Sequence, residues 1–369
     1  MTTKNSSTTS VLRQLASKPT DLVQGFKTGW GFKEPDTAVI DKKRPHHTSR
    51  GFQNLYPHAR HNFRDFFRWQ LRLGEKDPLL VPPHKVPRRY VPTRVTPDLG
   101  ALRNPDPDRL QVTWIGHTTF LIQANGLNIL TDPIFSDRCS PVQFVGPRRK
   151  AAPGLQFSQL PPIDAVVISH DHYDHLDNYS IQILGDTPRY FFPLGISRWF
   201  QRRGLTNFEE KDWGESVEFE GMRLHCLPAQ HFSGRTLFDR NRTLWCSWML
   251  EIGDKKVYFL GDTGYAPFFE EVGEQFGAVD CALIPIGAYR PRWYMQPVHV
   301  DAREAVQIHK DIRSQFSIAS HWGTFALAEE PPAEPPIYLR RALVDEGLET
   351  DEFQAVRFGE TVELTSDEK

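Results

Sequence analysis

Apolar positions along the chain come in short bursts broken by polar turns, not in long helical stripes. LQVTWIG at 110–116, TTFLIQA at 118–124 and LNILTD at 127–132 are three β-prone runs. They are separated by His117 and by the pair Asn125-Gly126, whose tolerance of positive φ favours a tight hairpin turn. Further runs follow at 164–170 (DAVVISH), 217–227 (VEFEGMRLHCL), 243–252 (TLWCSWMLEI), 255–260 (KKVYFL) and 279–286 (VDCALIPI). Between them the spacing predicts helices at 174–184, 195–204, 267–275 and 301–310. Strands in two groups with intervening helices predict an α/β fold, a large sandwich of sheets covered outside by helices.

The N-terminal third reads differently. Residues 1–10 are polar, and 1–42 is expected to be a flexible segment. Residues 43–109 form a proline-punctuated, basic extension expected to pack on a main domain at 110–360, with 361–369 as a tail. One amphipathic helix, NFRDFFRWQLRLG at 62–74, is predicted here, with Phe63, Phe66, Phe67, Leu71 and Leu73 on its apolar side. PPAEPP at 331–336 reads as a local loop marker, and no internal repeat is visible.

Composition sharpens this picture in three ways. With 369 residues, 39% hydrophobic and 24% charged, the chain has material for a core and is neither fibrous nor wholly disordered. Residues 1–109 carry 20 Lys and Arg against 10 Asp and Glu, a net +10, whereas 110–369 carry 24 against 36, a net −12. A basic flank of this kind suits an anionic membrane surface, or complementarity between two layers of one fold. Four scattered cysteines without CxxC spacing argue against a disulfide scaffold and fit a reducing compartment. No run of 18 apolar residues and no apolar signal segment at the start are found, so the expected location is cytoplasmic or peripheral to a membrane.

The chemistry concentrates in VVISHDHYDHLD at 166–177. His170 and His172 point the same way if the strand continues, because strand side chains repeat every second residue. A turn beyond them redirects Asp174 and His175 to a neighbouring point, giving half-sites for two borderline cations, most plausibly zinc. So many ligating groups at one strand end would be costly to desolvate without a metal. A metal site requires further donors at the ends of other β-prone runs, and His231, Asp262 and His321 stand there. His170, His172 and His231 are assigned to one ion and Asp174, His175 and His321 to the other, with Asp262 shared. Asp132 is read as a supporting carboxylate that orients a ligating imidazole, and His117 as a supporting residue at a hairpin corner. GDTG at 261–264 is not a phosphate-binding loop, and no nucleotide or nucleic-acid motif is present.

These residues resemble the metallo-β-lactamase superfamily, whose HxHxDH pattern is met by His170, His172, Asp174 and His175. TWIGHTTFLI, LTDPIFSDRCSPVQFVGPRR, SHDHYDHLD, LPAQHF, FLGDTGY and HWGTFALAEE are similar to blocks of one branch, the N-acyl-phosphatidylethanolamine-hydrolysing phospholipase D family. PHHTSRGFQN and VHVDAREAVQIHKDI extend the resemblance to about residues 43–360. It implies an αββα sandwich with a proline-rich N-terminal extension, two zinc ions held by the seven residues named above, and catalytic parts for Asp174, Asp262 and His299. It also implies that Tyr173 and His299 contact substrate. The lipid-hydrolysing members are expected to carry Gln where this chain has Val298, so a polar contact near the phosphate is missing.

The reaction implied is hydrolysis of N-acyl-phosphatidylethanolamine to N-acylethanolamine and phosphatidic acid. FFPLGISRWF at 191–200 and PIGAYRPRWYM at 285–295, with Arg148, Arg149 and Lys150, are expected to form a lipid-facing rim. The alternatives are a soluble hydrolase of a small phosphodiester or sugar-phosphate lactone, and a non-catalytic metal-stabilised binding module. The partners expected are phospholipid and an anionic membrane surface, with no nucleic acid; a homodimer is compatible with the chain.

Overall fold

The computed structural model describes residues 40–364, apart from 60, 76, 78–89, 91 and 237. Residues 1–39 of the expected flexible segment and 365–369 of the expected tail lie outside the described residues. The chain enters through a short ladder, β1 (His47–Thr48) against β2 (Gly51–Phe52), followed by helices α1 (Phe63–Gln70) and α2 (Leu99–Arg103). The first half of the sandwich contains β3 (Leu110–Gly116), β4 (Thr119–Ala124), β5 (Leu127–Thr131), β6 (Ala165–Val167), α3 (Asn178–Leu184), β7 (Arg189–Pro193), α4 (Ser197–Gln201) and β8 (Phe208–Lys211). The second contains β9 (Ser216–Phe219), β10 (Met222–Leu227), β11 (Ser247–Ile252), β12 (Lys255–Phe259), α5 (Phe268–Phe276), β13 (Cys281–Pro285), α6 (Arg292–Met295), α7 (Ala302–Asp311), β14 (Ser317–Ser320), α8 (Glu334–Asp345) and β15 (Phe353–Gln354). The last strand, β16 (Thr361–Leu364), returns to pair with β3.

The sheets run β16-β3-β4-β5-β6-β7-β8 and β15-β14-β13-β12-β11-β10-β9. Both begin antiparallel, through β16, β3, β4 and β5 in one and β9, β10, β11 and β12 in the other, and then continue as four parallel strands. The topology thus repeats although the sequence does not. Packing preserves the alternation of side chains between the inner and outer faces of each sheet, which many different residues satisfy.

That alternation builds the layers. In β7, Phe191 faces the core between the sheets, while Tyr190 and Phe192 pack with Ile181 of α3 and Phe200 of α4 on the outer face. Ala165 and Val167 point inward from β6, and Val166 points outward. On the other sheet, Phe269 and Val272 of α5 and Val306 of α7 join the core containing Leu283 of β13. The result is an αββα sandwich.

Several local expectations change. The run at 217–227 is two strands, because Glu220 and Gly221 both take positive φ, 46° and 77°, in a tight hairpin turn. The helix expected from 174 starts only at Asn178; Asp177 caps it by accepting from the Ser180 N–H, leaving the preceding histidines in a turn. α1 stops at Gln70, and Phe67, Leu71 and Leu73 are exposed. PPAEPP marks a loop only through residue 333: α8 starts at Glu334, and Pro335 and Pro336 occupy its first turn, where the missing N–H groups have no helical acceptor to lose. Residues 361–364, expected as part of the tail, belong to a sheet.

The proposed lipid-facing rim is also corrected. Phe191, Phe192, Ile196 and Phe200 are buried core residues, as are Ile286 and Tyr289 in the second segment. Arg149 is turned inward, donating through Nη2 to the Ile134 carbonyl at 2.6 Å and through Nε to the Ser136 carbonyl at 3.2 Å. Replacing Phe192 with Ala should therefore cost about 3–5 kcal/mol of stability, measured by denaturant unfolding. A change below 1 kcal/mol, on the same scale of effects, would show that this ring is not part of the core.

Candidate metal centre and catalytic cleft

The donors gather where strands end. β3 and β5 run in the direction of β6, and β10 and β12 in the direction of β13 and β14. His117 follows β3, Asp132 follows β5 and His170–His175 follow β6, while His231, Asp262, His299 and His321 follow β10, β12, β13 and β14. Sheets of this kind place sites beyond the carboxyl ends of their parallel strands, where side chains from adjacent loops can converge.

All seven residues assigned to metal come together in two adjoining groups. In the first, His170 Nε2 lies 2.8 Å from His172 Nδ1, which lies 3.3 Å from His231 Nε2. In the second, Asp174 Oδ2 is 3.4 Å from both His175 Nε2 and His321 Nε2. Asp262 Oδ2 is 3.2 Å from each of those two nitrogens and 3.8 Å from His231 Nε2, so it stands between the groups. Zinc bonds of roughly 2.0–2.1 Å make a tetrahedron with edges of about 3.3 Å. The 3.2–3.4 Å spacings of the second group match donors around one cation. His175 Nε2, His321 Nε2 and Asp262 Oδ1 are buried without a hydrogen-bond partner. Orphaned buried donors and acceptors are expensive, and a cation supplies what they lack. The residues present fit zinc.

The electrostatics agree. Burial, reinforced by neighbouring imidazoles, pushes His170 well below its usual range and lowers His172 to about 4. Burial likewise lowers His231 to about 3, against the opposing pull of Asp262. These rings are neutral at pH 7 and present lone pairs. Burial also disfavours charge on His175 and His321, but Asp262 and Asp174 outweigh it, holding His175 well above its usual range and raising His321 to about 9. The two carboxylates therefore recruit positive charge to the place where a cation would sit.

The chain matches the family model described as the beta-lactamase superfamily domain over residues 127–322. The chain belongs to the metallo-β-lactamase superfamily. It is a metal-dependent hydrolase. Among its relatives, a Mycobacterium tuberculosis protein of uncharacterised function is 37% identical over 85% of this chain and 83% of that protein. N-acyl-phosphatidylethanolamine-hydrolyzing phospholipase D 1 of Caenorhabditis elegans is 39% identical over 69% of this chain and 76% of that protein. The solved structure of Igni18, a metallo hydrolase from Ignicoccus hospitalis, superposes on the hydrolase with a TM-score of 0.54 at 22% identity, covering 69% of this chain and 98% of that one. That likeness speaks for the fold.

Around the donors, the hydrolase has a supporting layer that locks them in place. Asp132, wholly buried, holds His175 Nδ1 at 2.6 Å and accepts from Ser169 Oγ at 2.5 Å. Ser169 Oγ in turn lies 2.9 Å from His170 Nδ1, so one carboxylate orients an imidazole in each group. Gly261, just before Asp262, has φ +61°, and a Cβ there would lie 2.4 Å from Ser169 Cβ; glycine permits this approach. His117 is buried with Nε2 2.9 Å from Asp174 Oδ2, and its carbonyl accepts from the His321 N–H at 3.0 Å.

Two contributors have no signature in the sequence. Arg235 Nη1 donates to the carbonyls of Asp171 and Leu176 at 2.6 and 2.9 Å, clamping both ends of the histidine turn. Its guanidinium lies 4.0 Å over the Tyr173 ring, and the Tyr173 hydroxyl donates to the Arg235 carbonyl at 3.0 Å. Glu334 accepts from the Tyr289 hydroxyl and Arg290 at 2.6 and 2.8 Å, bracing the loop that leads to His299. His299 Nδ1 is 4.0 Å from Asp262 Oδ2, buried and unpartnered, and burial lowers the ring to about 3 despite Asp262. Val298 contributes its carbonyl, 2.9 Å from His231 Nδ1. Any residue at 298 can make that contact.

A third cluster is explained without a metal. His46 and His47 Nε2 lie 2.7 and 2.9 Å from Asp212, and Arg44 approaches the same carboxylate at 2.9 Å. The Asp41 N–H donates to His47 Nδ1, so the His47 proton is on Nε2 and faces Asp212. The cation of this group is Arg44, and the cluster anchors the N-terminal flank. For the metal centre itself, Asp132→Ala should weaken zinc retention by about 10–100-fold, measured by chelator competition. Unchanged retention would remove Asp132 from its orienting role.

Proposed function

We propose that this hydrolase is a dinuclear zinc phosphodiesterase of phospholipase D type, acting on N-acyl-phosphatidylethanolamine. The observation that carries the substrate class is the similarity to the C. elegans phospholipase, which covers 69% of this chain and so extends well beyond the domain matched at 127–322. His170, His172 and His231 would hold one ion, Asp174, His175 and His321 the other, and Asp262 both. Zinc bound there supplies Lewis acidity toward phosphoryl oxygen and makes water acidic enough to attack near neutral pH.

The residues themselves do the positioning. Asp262 Oδ1, which has no partner, can accept a hydrogen bond from the attacking water. Burial lowers His299 beside Asp262 to about 3, but an arriving phosphate raises its proton affinity, so it can take up a proton from solvent as substrate binds, polarise the phosphate and pass that proton to the departing oxygen. The attacking water gives one proton to solvent and its oxygen bonds to phosphorus, the bond from phosphorus to the ethanolamine oxygen breaks, and that oxygen takes the proton held by His299. N-acylethanolamine leaves and phosphatidic acid remains.

Access of a diacyl lipid favours the loop at 137–149 as the lipid contact. Phe144 and Val145 are 79% and 57% exposed at its tip, and Arg148 is exposed beside them. The loop is stiffened by Arg138, which donates to the carbonyls of Gln143 and Gly146 at 3.1 and 2.5 Å. It joins the cleft through the Lys150 N–H, which donates to the Thr324 carbonyl at 2.7 Å. Among the described residues no helix is long and apolar enough to cross a membrane.

Turnover of N-acylated phospholipid, a small phosphodiester and a lactone, compared on one preparation with zinc quantified, tests the substrate class. Preference for the lactone or the small diester would overturn it. His299→Ala should keep two zinc ions and the fold while lowering phosphodiester turnover by about 10²–10⁴-fold. Loss of an ion would place His299 among the ligands, and a fully active variant would exclude its chemical role. For membrane contact, replacing Phe144 and Val145 together with Ser should reduce co-sedimentation with anionic vesicles at high salt, where charge attraction is screened. Equal sedimentation of both proteins would remove this loop from the lipid surface.

A further inference from the structure

His231 is held by no strand or helix of its own. It lies in the connection between β10 and β11, beyond Leu227, where β10 ends. Its ring is aimed by the Val298 carbonyl, but aiming a ring is useful only if the backbone that carries it is fixed. The neighbouring residue Gln230 is held by the Gly264 N–H, which donates to its carbonyl at 2.7 Å. The backbone groups of His231 itself meet a side chain from the N-terminal flank. Asn54 Oδ1 accepts from the His231 N–H at 3.2 Å, and Asn54 Nδ2 donates to the His231 carbonyl at 2.9 Å. One planar amide thus does for His231 what a paired strand does for a ladder residue.

Asn54 is itself over-determined. Its Oδ1 accepts a second hydrogen bond, from Trp245 Nε1 at 2.9 Å, and that indole N–H also faces the Ala229 carbonyl at 2.9 Å. The Phe52 N–H donates to the Asn241 carbonyl at 2.8 Å, and Gln230 Nε2 donates to the Tyr56 carbonyl at 3.3 Å. The approach is close: Gly51 has φ +141°, and a Cβ there would lie 2.0 Å from the Asn241 carbonyl oxygen. Upstream, His46, His47 and Arg44 fasten the same segment to Asp212. Residues 44–56 therefore form a strap tied at Asp212, at Asn241 and at His231.

We infer that Asn54 is a positioning residue of the metal centre, fixing the His231 backbone so that Nε2 meets the cation shared with His170 and His172. The inference rests on the two-ion reading above. It makes the N-terminal strap a working part of the site, because the strap supplies a hydrogen-bonding group that grips His231 on both sides.

The test uses the full chain with Asn54→Ala and Asn54→Asp. N54D keeps an oxygen to accept from His231 and Trp245 but sets a second oxygen against the His231 carbonyl, so it loses the donor with little change in volume. Zinc is counted on each protein and then removed by graded chelator, with near-UV circular dichroism recorded in parallel. Wild type should hold two ions. In both variants one ion should be released at about 10–100-fold lower chelator strength, while the other is retained as in wild type and the near-UV signal persists. If N54A does not fold, N54D decides the matter. Release of both ions at wild-type chelator strength would overturn the assignment, and so would parallel weakening of both ions with loss of the near-UV signal, the mark of a general structural role. Fewer than two ions in wild type would overturn the two-ion reading and this assignment with it.

Discussion

Burying carboxylates without matching positive charge is the constraint on which this molecule turns. Asp174 and Asp262 sit among imidazoles at the meeting of two sheets, and both are held well below the usual carboxylate range, burial opposing and His175 and other imidazoles prevailing. Charged oxygens so placed cost several kcal/mol each unless something positive shares the space. The imidazoles answer that need partly by holding protons and fully by sharing a cation, so proton and metal compete for one location. The arrangement around them is a set of devices for keeping those atoms at metal-binding separation. Asp132 reaches an imidazole in each group, Arg235 grips both ends of the histidine turn, and His117 steadies Asp174.

The backbone carries some of the load. His117, Asp132 and His321 adopt φ of 57°, 30° and 60°, a region that side-chain-bearing residues enter at a cost of about 1–3 kcal/mol each. The surrounding bonds maintain it: the His117 N–H donates to Thr324 Oγ1 at 2.7 Å and its carbonyl accepts from the His321 N–H. Stability from the sandwich core is in effect exchanged for exact direction of a few side chains. The exposed loop at 137–149 is stiff for a related reason, since its arginine and glutamine bond back to the loop's own backbone.

The residues that bear chemistry were legible because they are crowded at strand ends and of unusual type. His170 through His175 announce themselves, and His231, Asp262 and His321 could be sought at the ends of later runs. The sandwich was legible from short β-prone runs in two groups with helical segments between them. Asn54 and Arg235 were not, because a neutral amide or a single guanidinium acting on backbone atoms leaves no local pattern, and its partner stands far away in the chain. α8 was obscured by prolines that are unfavourable inside a helix but harmless in its first turn. FFPLGISRWF looked like an interface because aromatic composition does not distinguish a strand buried on both faces from a lipid-facing surface; the neighbouring helices decide that.

The repeated topology has a consequence for biosynthesis. His170, His172, Asp174 and His175 come from the first half of the sandwich, whereas His231, Asp262 and His321 come from the second. Each donor group draws on both. Domains emerge from the ribosome at roughly 5–20 residues per second, so the histidine turn exists as a nascent chain for many seconds before His321 is made. Until His231 and Asp262 are made neither group is complete, and the second group stays incomplete until His321. The complete site can arise only once the two halves have closed on each other, which makes its closure a late checkpoint on correct assembly.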